Sequence, residues 1–344
     1  MAFLKRIEFG NYTLKFGSKD VLLDHFDNIV FPSFLEMKYM RRLKDKGDYF
    51  FLDTKLIILN DDINEPIVGI SGRIVKNTML HRDQIFTDGD LIDDAKNLET
   101  APSSSFLLIL NNHRLLFCRE MTGAPTLQNF QSTSDCFLKW SYLDYINKVH
   151  DESKEAKKIN SENKITTKKS LKTLIPRPFL RITPLPDKQS LDEFVGRFSH
   201  IDRLSIKLLP TNREEIDNDD FWRDLGNRRD SMNSTSTRVD FSNPKEGLDT
   251  ESVLTQARSA TSRGNSEVKL KGIDAQGDTI RGNNDDFSLT VDLEDLPRDS
   301  VAAAKLKYRQ FISLAASGVI SLPVVAVEAK NKILDIYNRL KNGI

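Results

Sequence analysis

The run Phe106-Leu107-Leu108-Ile109-Leu110, the turn Asn111-Asn112-His113 and the run Leu115-Leu116-Phe117 constrain the fold of this chain more than any other stretch. Successive side chains of a strand point to opposite faces, so a run that is apolar at every position has to be buried on both. The pair therefore reads as a hairpin in the middle of a sheet. A second hairpin is expected where the β-prone Tyr49–Leu52 and Lys55–Leu59 meet the turn cluster Asn60-Asp61-Asp62 and the run Pro66–Val75. Between the two hairpins, Asp83–Asp94 is acidic and reads as a solvated loop.

From Thr126 the pattern becomes helical, with Phe137, Trp140, Leu143, Tyr145 and Ile146 sharing roughly one face. The pattern dissolves at Asp151 into a lysine-rich stretch with the composition of a linker. Beyond it, Ile175–Ile182 holds Pro176 and Pro178 and reads as an extended edge element. Asp192–Phe198 suits a short helix and Arg203–Leu209 a strand. Residues 211–264 are polar; Asp219–Trp222 can begin a helix, and Ser231–Thr237 reads as mobile. Three β-segments follow at Glu267–Ile273, Asp278–Arg281 and Phe287–Val291, separated by turn residues around Gly277 and Gly282. Asp299-Ser300 can cap a helix from Val301 to Ser317, and Pro323 can sit in the first turn of a last helix ending at Gly343.

The class is α+β: two domains with antiparallel β-sheets and flanking helices, and a C-terminal helical pair. The expected division is an N-terminal β-rich domain at 1–150, a basic linker at 151–178, and a C-terminal domain at 179–344 with a polar insertion at 211–264. Two domains also suit the length of 344 residues.

Fifty basic residues balance fifty acidic ones, which excludes a bulk polycation or an acidic tail but permits a local basic surface. Cys118 and Cys136 lie in apolar surroundings without CxxC spacing, so they read as buried free thiols in a reducing compartment. The start of the chain turns charged at Lys5, and the longest weakly polar run, Phe311–Val327, is interrupted by serines, Gly318 and Pro323. A cytoplasmic protein is expected. No phosphate-cradling, dinucleotide or nucleophile-elbow motif occurs, and the five histidines lack ligand spacing. No catalytic residue, metal site or cofactor is expected.

Charge is the remaining signal. Between Lys154 and Arg181 nine positive residues, among them Lys164, Lys168, Lys169, Lys172, Arg177 and Arg181, face two negative ones, a local net of +7. A cationic strand of this kind can lie along a phosphate backbone and release counterions, although a solvated linker has the same composition. Lys269 and Lys271 alternate with Val268 and Leu270, so on a strand they share the face opposite the apolar one, and Arg281 on the next strand can join them. Val327-Glu328-Ala329-Lys330 carries the Glu-x-Lys half of a metal-dependent nuclease core, with Asp295 or Asp299 as the partner carboxylate. Against that reading, Val327, Ile333, Leu334, Tyr337 and Leu340 follow helical spacing.

Three stretches carry a resemblance. They are Ser104–Ile109 followed by Gly123-Ala124-Pro125-Thr126; Arg181-Ile182-Thr183-Pro184-Leu185 before Asp202–Ile206; and Val268–Asp278 before a long helix. In this order they resemble the RexA family of lambdoid phage exclusion proteins, over roughly residues 100–344. The resemblance implies a homodimeric DNA-binding protein of bacterial anti-phage defence. Such a protein has little sequence preference on double-stranded DNA and works with a membrane protein, encoded nearby, that can recruit it to the inner membrane. The alternatives are a nuclease using Glu328 and Lys330, or a scaffold that binds proteins alone.

Overall fold

The computed structural model describes residues 3–44, 46–160, 164–210, 212, 220–232, 234–261 and 264–343. The chain opens with a long strand, β1 (Lys5–Phe16), and a short β2 (Asp20–Val21), then tight helical turns ending in α1 (Phe31–Phe34). β3 (Met40–Leu43), β4 (Gly47–Asn60), β5 (Ile67–Thr87) and β6 (Asp90–Thr100) precede the central hairpin of β7 (Ser103–Ile109) and β8 (Arg114–Arg119). The two β-prone runs at 49–59 are one strand, bent at a bulge where Asp53 takes φ 53°.

Thr126 accepts from the Asn129 amide and caps α2 (Leu127–Ile159). α3 (Lys168–Leu174) and β9 (Pro178–Pro184) follow. α4 (Lys188–Val195), capped by Asp187, leads to β10 (His200–Leu208), α5 (Asp220–Ser231), β11 (Thr237–Ser242) and α6 (Thr250–Thr261). β12 (Ser266–Ile273), β13 (Thr279–Asn283) and β14 (Thr290–Leu293) precede α7 (Ser300–Ala316), which Asp299 caps, and α8 (Val327–Lys341).

The described strands form two antiparallel sheets with flanking helices, an α+β architecture that ends in the helical pair α7 and α8. The larger sheet has the order β14-β1-β8-β7-β5-β4-β3, which puts the β7–β8 hairpin at its centre. Phe106, Leu108, Leu115 and Phe117 face α2 and α8, while Leu107, Ile109, Leu116 and Cys118 face α7. Burial on both faces is why these strands are apolar at consecutive positions. Phe34, Phe51, Phe106 and Phe130 pack as one group, with ring centroids 4.9 Å apart for Phe34–Phe51 and 4.8 Å for Phe106–Phe130. Burying each such ring contributes roughly 1.5–3 kcal/mol.

β1 carries partners along both edges. β8 pairs with Ile7–Asn11 on one side, and on the other β14 pairs with Lys5–Glu8 and β9 with Gly10–Phe16. Both β9 and β14 lie beyond the 151–178 stretch, so the larger sheet draws strands from each half of the chain. The smaller sheet, in the order β11-β10-β12-β13, packs its inner face on α4 and α6 through Leu204, Ile206, Val268, Leu270, Phe194 and Ala257.

Six local expectations change. The segment 83–94 is not a loop: β5 and β6 pair from Thr78↔Thr100 to Thr87↔Asp90 as a two-stranded arm. Its turn, Asp88-Gly89, holds φ 55° and φ 90°, as a tight primed turn requires. Residues 151–159 are the last turns of α2, held by the exposed pairs Lys154–Asp151 at 3.0 Å and Lys158–Glu155 at 2.6 Å. Lys168–Leu174 is helical because Leu171 docks into the core while His150 Nδ1 donates to the Thr166 carbonyl at 2.8 Å. The polar stretch 211–264 holds α5, β11 and α6 and supplies the buried Trp222, Val253 and Ala260; Asp219 lies outside the described residues. β14 leaves the β12–β13 meander to join β1, turned by a short helix at Asn284–Phe287 capped by Asn283. The last helix starts at Val327, beyond Pro323.

Candidate nucleic-acid interface

Strand register fixes which side chains share the outer face of the smaller sheet. Lys269 sits opposite Asn283 and Ser205, and Lys271 sits opposite Arg281 and Arg203. On β11, Arg238 lies beside Lys207, and Asp240 beside Ser205. Directly opposed residues project to the same face, so Arg203, Lys207, Arg238, Lys269, Lys271 and Arg281 form one basic surface. Asp240 and Glu267 are its acidic members. Lys271 lies 3.6 Å from Asp202. Among the described residues the other five cations have no carboxylate at ion-pair distance.

This face runs into a cleft of about 710 Å³ between β12, β9, β1 and the start of α2. Arg181 and Lys269 both line it, with Gln128 and Gln131 on the opposite wall. Arg181 pairs with Glu267, which offsets its charge, while its Nε is buried without a hydrogen bond among the described residues. Glu8 and Asp285 also line the cleft. Desolvation pushes the Glu8 carboxyl up against the pull of Arg119; desolvation and the neighbouring Asp286 raise Asp285.

The basic residues singled out in the sequence as candidate phosphate contacts fall into two groups. Arg181, Lys269, Lys271 and Arg281 meet at the cleft and the sheet face. Lys168, Lys169 and Lys172 lie on α3 against α2, where Lys168 Nζ donates to Asn147 at 2.6 Å. Lys164 and Arg177 are exposed on either side of that helix. Arg177 stands four residues before Arg181, about 13 Å along an extended chain. Sequence reading missed Arg203, Lys207 and Arg238, because their place on the face depends on which strands pair. The alternation Arg203-Leu204-Ser205-Ile206-Lys207 is the signal that was present.

Among the described strands no aromatic side chain lies on this outer face, so it offers no platform for stacking unpaired bases. It offers a flat array of cations suited to phosphates. Glu328 and Lys330 occupy the first turn of α8, where residues two apart project about 200° from one another. A shared carboxylate-ammonium face of the nuclease type is therefore not formed there. Asp299 caps α7, and Asp295 pairs with Lys5 at 2.9 Å. Among the described residues no group of three or more His, Cys, Asp or Glu is placed to hold a metal ion. Cys118 is buried and Cys136 half-buried, both as thiols, and desolvation raises the pKa of each. Among the described residues no helix is long and apolar enough to cross a membrane.

The sequence matches no protein-family model, and no curated protein matches it.

Proposed function

We propose that this chain is a sequence-nonspecific DNA-binding protein of bacterial anti-phage defence, acting as a sensor for a membrane effector. The observation that carries the DNA-binding part is the outer face of the smaller sheet, with six cations on four strands and no stacking residue. Arg203, Lys207, Arg238, Lys269 and Arg281 contact duplex phosphates, and the track continues into the cleft beside Arg181. Contacts of this kind fix orientation without reading bases, so affinity depends little on sequence. The defence role, the membrane partner and the homodimeric state rest on the resemblance at 104–126, 181–206 and 268–278.

A salt-titrated shift assay on duplex DNA, run with and without magnesium, tests the reading. Five phosphate contacts give a slope of log affinity on log salt of about −4.5, so binding falls about 500-fold between 50 and 200 mM salt. Replacing Arg203, Lys269 and Arg281 together by alanine brings the slope to about −2. The same change at Lys168, Lys169 and Lys172 reports whether α3 lies on the track. Affinity that stays level across that salt range overturns the proposal. Cleavage with magnesium that is lost in Glu328→Ala favours the nuclease.

A further inference from the structure

The arm formed by the distal halves of β5 and β6 stands out from the rest of the molecule. Residues 78–100 are exposed or half-buried throughout, and an isolated two-stranded hairpin is marginal in water. Four large apolar side chains nevertheless lie open on one of its faces: Leu80 and Leu98 are 59% and 64% exposed, Phe86 and Leu91 72% and 69%.

The register orders this face in rows from base to tip. Leu80 pairs with Leu98 and Arg82 with Lys96; beyond a bulge, Gln84 pairs with Asp93 and Phe86 with Leu91. Asp94, at the bulge, lies 3.4 Å from Lys96 and also pairs with Arg82. The sequence of rows is thus apolar, cationic, anionic, apolar. Reversed end to end, the pattern complements itself.

From this pattern we infer that the arm is the docking surface for a second copy of this chain, the two arms packed face to face and antiparallel about a two-fold axis. Leu80 and Leu98 then cover the partner's Phe86 and the partner's Leu91. Lys96 meets the partner's Asp93, Arg82 meets the partner's Gln84, and the symmetry repeats each contact. The arm is about 33 Å long, so two such faces bury on the order of 1,000 Å², the lower limit for a specific dimer. Segment 78–100 holds six acidic and two basic residues, a charge of −4 that repels phosphate backbones and anionic lipid; two arms repel one another as well, and the apolar rows and the pairing of Lys96 with the partner's Asp93 outweigh that repulsion. The inference stands apart from the DNA-binding reading, because none of these residues belongs to the basic face.

Sedimentation velocity of the full chain at 1–100 µM, a range about that of a modest dimer, tests it. The wild type dimerises reversibly. Phe86→Asp with Leu91→Asp raises the dissociation constant on the order of a hundredfold or more. Lys96→Asp raises it about tenfold, Asp93→Lys does likewise, and the two together in one chain restore it. Unchanged melting curves and unchanged binding to a short duplex show that the variants are folded. A monomeric wild type overturns the inference, as does a dimer indifferent to Phe86 and Leu91. Failure of the double swap to restore association, or a dimer broken by changes on the basic sheet face instead, overturns this mode of pairing.

Discussion

Lys307 sits on α7 with no exposed surface, its ammonium donating to Ser105 Oγ at 2.6 Å beneath the β7–β8 hairpin. Desolvation, with a smaller push from Arg73, lowers its pKa from 10.5 to about 8, against the pull of Cys118 and Glu120. A difference of that size corresponds to about 3 kcal/mol of stability forgone at neutral pH, where the folded protein must keep the charge buried. Lys307→Met has nearly the same length and no charge. It loses the hydrogen bond to Ser105, worth about 1 kcal/mol, and leaves that hydroxyl a free rotor. The net expectation is a gain of about 2 kcal/mol at pH 7. The pH dependence is the sharper signature. Between about pH 8 and 10.5 the unfolded chain holds this proton and the folded one has released it, so the wild type gains stability as pH rises. The variant lacks that gain, and the two stabilities converge at alkaline pH. Urea unfolding of both proteins at pH 7 and pH 9.5 measures the difference. A variant less stable at pH 7, or a gap that does not narrow by pH 9.5, refutes the reasoning.

Two further outcomes follow from backbone geometry. A Cβ at Gly272 would collide with the His200 carbonyl oxygen beside the β10 bulge, so Gly272→Ala costs roughly 2–3 kcal/mol in urea unfolding; a change under about 0.5 kcal/mol contradicts this. Thr126→Ala removes the side chain that accepts from the Asn129 amide and costs about 1 kcal/mol, whereas Thr126→Ser recovers most of it; equal losses in the two contradict the cap.

The parts of the fold that one strand or helix can announce by itself were legible. The β7–β8 hairpin showed because both its faces are buried, α2 showed because its apolar residues share a face, and the start of α7 showed because Asp299 is a cap. The arm was hidden because neither of its faces is buried, so no period-two pattern marks Thr78–Thr87. Its one clear signal was Asp88-Gly89, the dipeptide favoured in primed hairpin turns. The end of α2 was hidden for a related reason: its stability comes from exposed charge pairs rather than an apolar stripe, and such a segment has the composition of a linker. Of the basic face, Lys269 and Lys271 were legible as neighbours on one strand. Arg203, Lys207 and Arg238 were not, because β10 meets β11 across a polar stretch of nearly thirty residues and register cannot be read from either strand alone.

The edge of β1 has a consequence for how the chain is made. Its two closing partners are synthesised late: β9 begins at residue 178 and β14 at residue 290. Until β14 emerges from the ribosome, Lys5–Glu8 presents unpaired backbone beside apolar side chains that α7 has yet to cover. The first strand out is therefore the last to be sealed. Contacts of such sequence separation slow folding and favour completion after release. A chain truncated before residue 290 keeps that edge open and should aggregate.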